Sequence, residues 1–138
     1  MLDGRVELVL PAEPSSPQIA REAIARLGAL PADLLDRAQL ITSELVTNGV
    51  RHGNAGAGAQ IRLSAELHPS FLRIEVTSPA ALSRPIMQAR GELRSSGYGL
   101  IIVDALADRW GSSVDGAVRV WCELGLKAEP AVGRPPVI

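Results

Sequence analysis

The chain has 138 residues, a length that suits one compact domain with one core. Fourteen basic residues against fifteen acidic ones leave no net charge that would draw the protein to nucleic acid or to an anionic membrane surface. The longest apolar runs, such as residues 8–12 and 100–103, are far shorter than the roughly 20 residues that a membrane-spanning helix needs, and no basic leader opens the chain. We therefore expect a soluble, cytoplasmic protein with no direct nucleic-acid or membrane partner.

The first half of the chain predicts one strand and two helices. Residues 5–10 alternate in polarity and stop at Pro11, as a strand does. Residues 14–28 open with serines suited to an N-cap, and their apolar positions then follow helical spacing: Ile19, Ala23, Ile24 and Leu27. From the candidate N-cap Asp33, a second helix is expected to reach His52 or Gly53, with a buried stripe of Leu34, Ala38, Ile41 and Leu45.

The second half predicts two hairpins with a helix between them. Residues 59–67 and 71–76 alternate on either side of a short turn, and residues 78–96 have no steady period, which indicates a long loop. A third helix follows the glycines at 97 and 99, and a last hairpin turns at Asp115 and Gly116. The domain is expected to span residues 1–127, with residues 128–138 as a flexible tail. The single cysteine, Cys122, lies in an apolar run that predicts a buried side chain.

The predicted element order is β α α β β, then the loop, then α β β. This order predicts an α+β, two-layer α/β sandwich, with helices packed on one face of a mixed, mostly antiparallel sheet. The aromatic content is only 3%, so the core must be aliphatic.

Glu44, Asn48 and His52 follow one another at four-residue intervals on the second helix, at the border of its apolar stripe. A neutral amide oxygen such as that of Asn48 suits Mg²⁺, and Glu44, one turn earlier, could act as a general base or hold a metal-bound water. The alternative is a pair of ordinary surface partners on a helix. His52 alone also suits a cation that interacts with the helix C-terminal dipole.

Gly97, Tyr98, Gly99 and Leu100 precede or open the third helix. Bare main-chain amides in a first helical turn could face an anion, and the missing glycine side chains would let a phosphate approach. A plain turn from loop to helix has the same pattern. No Walker-type GxxxxGK[ST] and no GxGxxG after a strand is present.

Together the segments SELVTNGVRHG and GYGLIIVDALADRWG, some fifty residues apart, closely resemble the Bergerat-type ATP-binding fold of the GHKL superfamily. The chain is most similar to the small anti-sigma factor/serine kinase group of that superfamily. The resemblance implies ATP and Mg²⁺ as ligands, Glu44 as the catalytic residue and Asn48 as the metal ligand. It also implies that Gly97, Tyr98, Gly99 and Leu100 grip the phosphates, and that residues 80–96 form a lid.

The sequence departs from this family where the adenine should be read. The family uses an aspartate at the end of the second central strand, and here Ser78 stands in that place; a threonine on the last strand corresponds to Arg119. Arginine donates hydrogen bonds but cannot accept one from an adenine amino group. Three accounts remain: Ser78 with a water replaces the aspartate, the pocket prefers another base such as guanine, or the fold persists as a binding module. Alternatively, Arg119 is a solvent-facing strand residue.

Two functions are therefore expected from the resemblance. The first is a Mg²⁺-ATP-dependent protein-serine kinase that phosphorylates a small, STAS-like anti-anti-sigma partner and holds a sigma factor through its helical face or through the face of a homodimer. The second is a non-catalytic interaction module of the same fold that regulates transcription by binding a partner. The intact helix motif favours the first, and the missing aspartate favours the second.

Overall fold

The computed structural model describes residues 4–52, 58–79, 98–114 and 116–126, which form five strands and three helices. In chain order these are β1 (Arg5–Pro11), α1 (Ser16–Ile24), α2 (Ala32–His52), β2 (Gln60–Leu67), β3 (Phe71–Pro79), α3 (Tyr98–Leu106), β4 (Arg109–Val114) and β5 (Ala117–Gly125). The predicted order of elements and the α+β class are confirmed.

The five strands form one sheet in the order β1-β2-β3-β5-β4. Each neighbouring pair in the described sheet is antiparallel, where a mixed, mostly antiparallel sheet was expected. The predicted hairpins β2–β3 and β4–β5 are both present. Gly116, just before the return strand β5, has a φ of 94°, a left-handed conformation that glycine adopts without a steric penalty.

The sheet has two chemically different sides. Residues of even number on β3 and β5, such as Leu72, Ile74, Cys122 and Leu124, are buried against the helices. The odd-numbered residues of these strands point to the other side, because successive side chains of a strand alternate. We call this other side the open face. Its side chains are mainly arginine, glutamate and small polar groups: residues 5, 7 and 9 of β1, 60–66 (even) of β2, 71–79 (odd) of β3, 109–113 (odd) of β4 and 117–123 (odd) of β5.

The predicted apolar stripe of α2 is confirmed, since Leu34, Ala38, Ile41 and Leu45 are all at most 4% exposed. The helix begins one residue before Asp33. The carbonyl of Pro31 accepts hydrogen bonds from the amides of Leu34 and Leu35, so Asp33 lies in the first turn rather than at the N-cap. A carboxylate in that turn still interacts favourably with the helix dipole.

Two details of α1 differ from the prediction. Ser15 occupies the N-cap but forms no capping hydrogen bond through its side chain, and the hydroxyl of Ser16 instead donates to the carbonyl of Pro11 at 2.6 Å. This bond ties the start of α1 to the end of β1. Ile19, expected in the apolar stripe, is 43% exposed, while Ala20 of the same helix is buried.

Several predictions fall outside the described residues: the lid at residues 80–96, Gly97, the turn residue Asp115 and the tail at 128–138. Within the part of the chain that the structure describes, no helix has the length and apolar character to cross a membrane. Cys122 is fully buried, as predicted.

Candidate nucleotide site

Glu44 and Asn48 lie on the side of α2 that faces α3. The guanidinium Nη1 of Arg37 donates to the carbonyl oxygen of Leu106 at 3.2 Å, which identifies this side. Successive residues of a helix are rotated by 100° around its axis. Residues 7 and 11 positions after Arg37 therefore point within about 20° of the direction in which Arg37 points. Glu44 and Asn48 occupy these positions, and both are half-buried. The opposite flank of α2 faces α1, where Gln39 donates to the carbonyl of Arg21.

The helix α3 points its first turn toward the second half of α2. Its last residue, Leu106, lies beside Arg37, and Asp108 just after it bonds to the backbone of Glu123 and Gly125 near the end of β5. The end of β5 pairs with the start of β3, so the beginning of α3 lies toward the opposite end of the sheet, where β3 finishes. Glu44 and Asn48 are therefore on the α2 segment nearest the start of α3.

Ser78 lies at this same end of the sheet, on the helix-facing side. It is 8% exposed, and a Cβ added to Gly49 would lie 3.5 Å from the Ser78 Cβ and 3.3 Å from the Ile61 Cδ1. Gly49 thus lets α2 approach β2 and β3 closely just after Asn48. Sequence reasoning did not single out Gly49, although a glycine inside a helix costs about 1 kcal/mol relative to alanine and so indicates a packing or functional reason.

Of the segment formed by residues 97–100, the structure describes residues 98–100, which open α3. Tyr98 and Gly99 are the first two residues of α3, so their main-chain amides belong to a turn that has no intrahelical acceptors. The side chain of Leu100 is fully buried in the core, and its contribution to an anion would come from its backbone. Gly97 and the side chain of His52 lie outside the described residues; the backbone of His52 ends α2.

Arg119 is not brought to this site. It lies on the open face opposite Thr77, and its Nε is 3.6 Å from a carboxylate oxygen of Glu75. On the helix-facing side, the residue of β5 opposite Ser78 is Val118, which is apolar. Its position corrects the expectation that Arg119 replaces the family's threonine and agrees with the alternative of a strand residue on the outer side. The sequence already indicated the outward position of Arg119. The apolar residues Val118, Val120, Cys122 and Leu124 have even numbers, and a neighbouring odd-numbered residue points to the other face of the strand.

The described residues contain no group of three or more His, Cys, Asp or Glu side chains arranged to hold a metal ion. Cys122 offers no nucleophile, because burial raises the pKa of its thiol to about 12.

Comparison with known proteins decides the family. Residues 10–121 match the histidine kinase-like ATPase domain, which is well over half of the chain. The chain belongs to this family. Its antiparallel sheet with helices on one side is consistent with the GHKL ATPase fold, as the sequence motifs predicted.

Two curated relatives agree with this assignment. An uncharacterized protein of Streptomyces coelicolor is 33% identical over 96 residues, covering 69% of this chain and 85% of the relative. The anti-sigma F factor of Clostridium acetobutylicum is 26% identical over 118 residues, covering 78% of this chain and 82% of the relative. The chain is thus an ATPase-like regulatory domain of the GHKL type with a distant anti-sigma relative.

Proposed function

We propose that this histidine kinase-like domain binds Mg²⁺-ATP and transfers the γ-phosphate to a serine of a small, STAS-like anti-anti-sigma protein, while it holds a sigma factor when that partner is absent. The observation that supports this most directly is the placement of Glu44 and Asn48 on the flank of α2 that faces α3, at the end where α3 begins. The similarity to an anti-sigma F factor supports the choice of partners.

Each residue has a role that its chemistry allows. The amide oxygen of Asn48 would ligate Mg²⁺, and Glu44 would accept the proton of the attacking serine hydroxyl. The free amides at the start of α3 would bind phosphate oxygens. Bound Mg²⁺ would neutralise charge on the phosphates, and positioning by these groups would supply most of the remaining catalysis.

The adenine end of the site rests on Ser78. Its hydroxyl is nearly buried and can both accept a hydrogen bond and donate one, so it fits an exocyclic N–H. It has no charge, and the helix-facing neighbour Val118 has no hydroxyl to assist it. Replacing a charged acceptor costs on the order of 1.5–3 kcal/mol, or roughly ten- to 150-fold in affinity. We therefore propose weak ATP binding. A preference for guanine loses its support, because Arg119 lies on the open face.

Calorimetric titration with ATP and Mg²⁺ tests the proposal, followed by phosphate transfer to the candidate partner. Glu44→Ala should retain nucleotide binding and lose transfer, whereas Asn48→Ala should weaken binding in Mg²⁺ much more than in its absence. Asp36→Ala, at an exposed carboxylate more than two turns before Glu44 on the same helix, is the matched control and should change neither. No binding at millimolar ATP, or unchanged transfer by Glu44→Ala, would contradict the kinase proposal.

A second candidate is a non-catalytic interaction module. It is favoured by one observation, the uncharged, valine-flanked environment of Ser78. Ser78→Asp separates the two candidates. If the site still binds ATP, the restored carboxylate should strengthen binding by about tenfold or more; if the site has decayed, the variant should bind no better than the parent.

A further inference from the structure

The open face contains three rows of side chains that cross all five strands in register. The charged row alternates in sign: Arg5, Glu66, Arg73, Glu123 and Arg109. The middle row consists of Glu7, Ser64, Glu75, Trp121 and Gly111. The arginine row has two guanidinium groups and no carboxylate: Val9, Arg62, Thr77, Arg119 and Ser113. The net charge is therefore +2 in the arginine row, +1 in the charged row and −2 in the middle row.

Within the arginine row, Arg119 lies beside Glu75, whereas the charge of Arg62 has no counter-charge among the described residues. The charged row is internally paired, with Arg73 bonded to Glu123 at 3.0 Å and to Glu75 at 3.3 Å. Arg62 forms no ion pair with any residue in the described ranges. The carboxylates diagonal to it are already engaged, Glu7 by Arg5 and Glu75 by Arg73 and Arg119.

A pocket opens beside Arg62. It is lined on the open face by Val9, Gln60, Arg62, Thr77, Pro79 and Ala117, and also by Ile61 and Ser78. Its volume is about 170 Å³. This is near the roughly 150 Å³ of a cavity that holds a benzene ring and well below the roughly 300–1,000 Å³ of sites for drug-sized ligands. The pocket therefore suits one side chain rather than a nucleotide.

The part of the lining that lies on the open face combines one cation, two neutral polar side chains and three apolar side chains. The guanidinium of Arg62 can bind a carboxylate through two parallel hydrogen bonds, and the Gln60 amide and Thr77 hydroxyl can donate to it as well. Val9, Pro79 and Ala117 can pack against an aliphatic stem. A carboxylate on a short stem matches both halves of the lining.

From this match we propose that the pocket of Arg62 is a docking site for a glutamate side chain of a protein partner. Most of the side chains that line the pocket lie on the open face, and the pocket meets the proposed nucleotide site at Ile61 and Ser78. Thr77 and Ser78 are consecutive residues on β3; Thr77 belongs to the open face, and Ser78 borders both the pocket and the nucleotide site.

The test is a two-dimensional amide NMR titration of the whole chain with N-acetyl-glutamate methylamide, and with the glutamine analogue as its neutral twin. The glutamate probe should shift the signals of Arg62, Thr77 and Gln60 with millimolar affinity, and the glutamine probe should not. Arg62→Gln should weaken binding about tenfold or more, because charge-assisted hydrogen bonds are lost. Arg26→Gln, at an exposed arginine after α1, is the matched control and should bind like the parent.

A further variant and a smaller probe measure how binding depends on the shape of the cation and on the aliphatic stem. Arg62→Lys keeps the charge without the two-pronged geometry and should bind with intermediate affinity. Acetate lacks the stem and should bind several-fold more weakly. Equal binding of the glutamine probe or of acetate, unchanged binding by Arg62→Gln in a chain with native amide dispersion, or no shifts at tens of millimolar probe would each refute the site. None of these readouts depends on ATP.

Discussion

The two sides of the sheet follow different rules although they belong to the same strands. On β2 and β3 the helix-facing side is mainly aliphatic and buried, and at the end of β3 Ser78 approaches Gly49 of α2. On the open face, Arg73 forms one ion pair within its own strand, to Glu75, and one across strands, to Glu123, and it lies 4.6 Å from the ring centre of Trp121. Stability should therefore depend mainly on the first side, because half-exposed ion pairs contribute little.

The largest expected effect comes from removing core volume. Ile74→Ala on the helix-facing side should lower the free energy of unfolding by about 2–5 kcal/mol, because a buried cavity is left. Glu75→Ala, the next residue on the same strand, should cost less than about 1.5 kcal/mol. Urea denaturation of both variants measures the contrast. Equal losses would show that the open face is as important for stability as the core.

A second prediction concerns the one tight contact described on the open face. A Cβ at Gly111 would lie 2.8 Å from Cζ2 of Trp121, so Gly111→Ala must displace the indole from its position beside Arg73. We expect a loss of about 1–3 kcal/mol. In a Trp121→Ala background the same change should cost almost nothing. A double-mutant cycle in urea with no coupling between the two sites would contradict this contact.

The third prediction uses pH to probe the buried side. In the unfolded chain the thiol of Cys122 ionises near its ordinary pKa of 9.0, whereas burial raises the folded pKa to about 12. The stability contributed by the neutral thiol is complete below pH 9.0 and is lost as the pH rises toward 12, by up to about 1.4 kcal/mol per pH unit. Comparing the parent with Cys122→Ala across this range isolates the effect. Parallel curves for the two proteins would refute it.

The smallest effect should appear at the rim of the charged row. Arg109 is 68% exposed and lies 3.5 Å from Glu123, so Arg109→Ala should cost less than about 1 kcal/mol. Arg73→Ala should cost more, because Arg73 is less exposed, bonds two carboxylates and stacks on Trp121. Thermal unfolding at low and high salt distinguishes them, since only the rim pair should be largely screened. A larger loss for Arg109→Ala would reverse this ranking.

The fold was readable from the sequence because each element carried its own period. The stripe of α2 and the alternation of β3 correctly predicted which residues are buried. The prediction that Ile19 belongs to the buried stripe of α1 was wrong, because a helical period shows which residues share a face but not how much of that face the neighbouring elements cover. The expectation that Ser16 could cap α1 was wrong, because its hydroxyl donates to the carbonyl of Pro11 in the preceding strand.

The candidate site was predictable in its motif and less so in its surroundings. Glu44 and Asn48 were singled out from their spacing, and the period of α2 puts both on the flank from which Arg37 reaches Leu106; their catalytic and metal-binding roles stay predictions. Arg119 was misplaced because matching motifs by position ignored the parity of the strand. Gly49 and the Arg62 pocket were missed, because both depend on close approach between separate strands or helices, which no local pattern records.

The chain has two tryptophans, and the sheet separates them. Trp110, opposite Cys122, packs on the core and donates its indole N–H to Asp104 of α3 at 2.8 Å, whereas Trp121 lies on the open face. Replacing one tryptophan therefore leaves a single intrinsic fluorophore, which lies on a known side of the sheet. Emission from Trp110 would report motion of α3, and emission from Trp121 would report events on the arginine-rich surface, without any added dye.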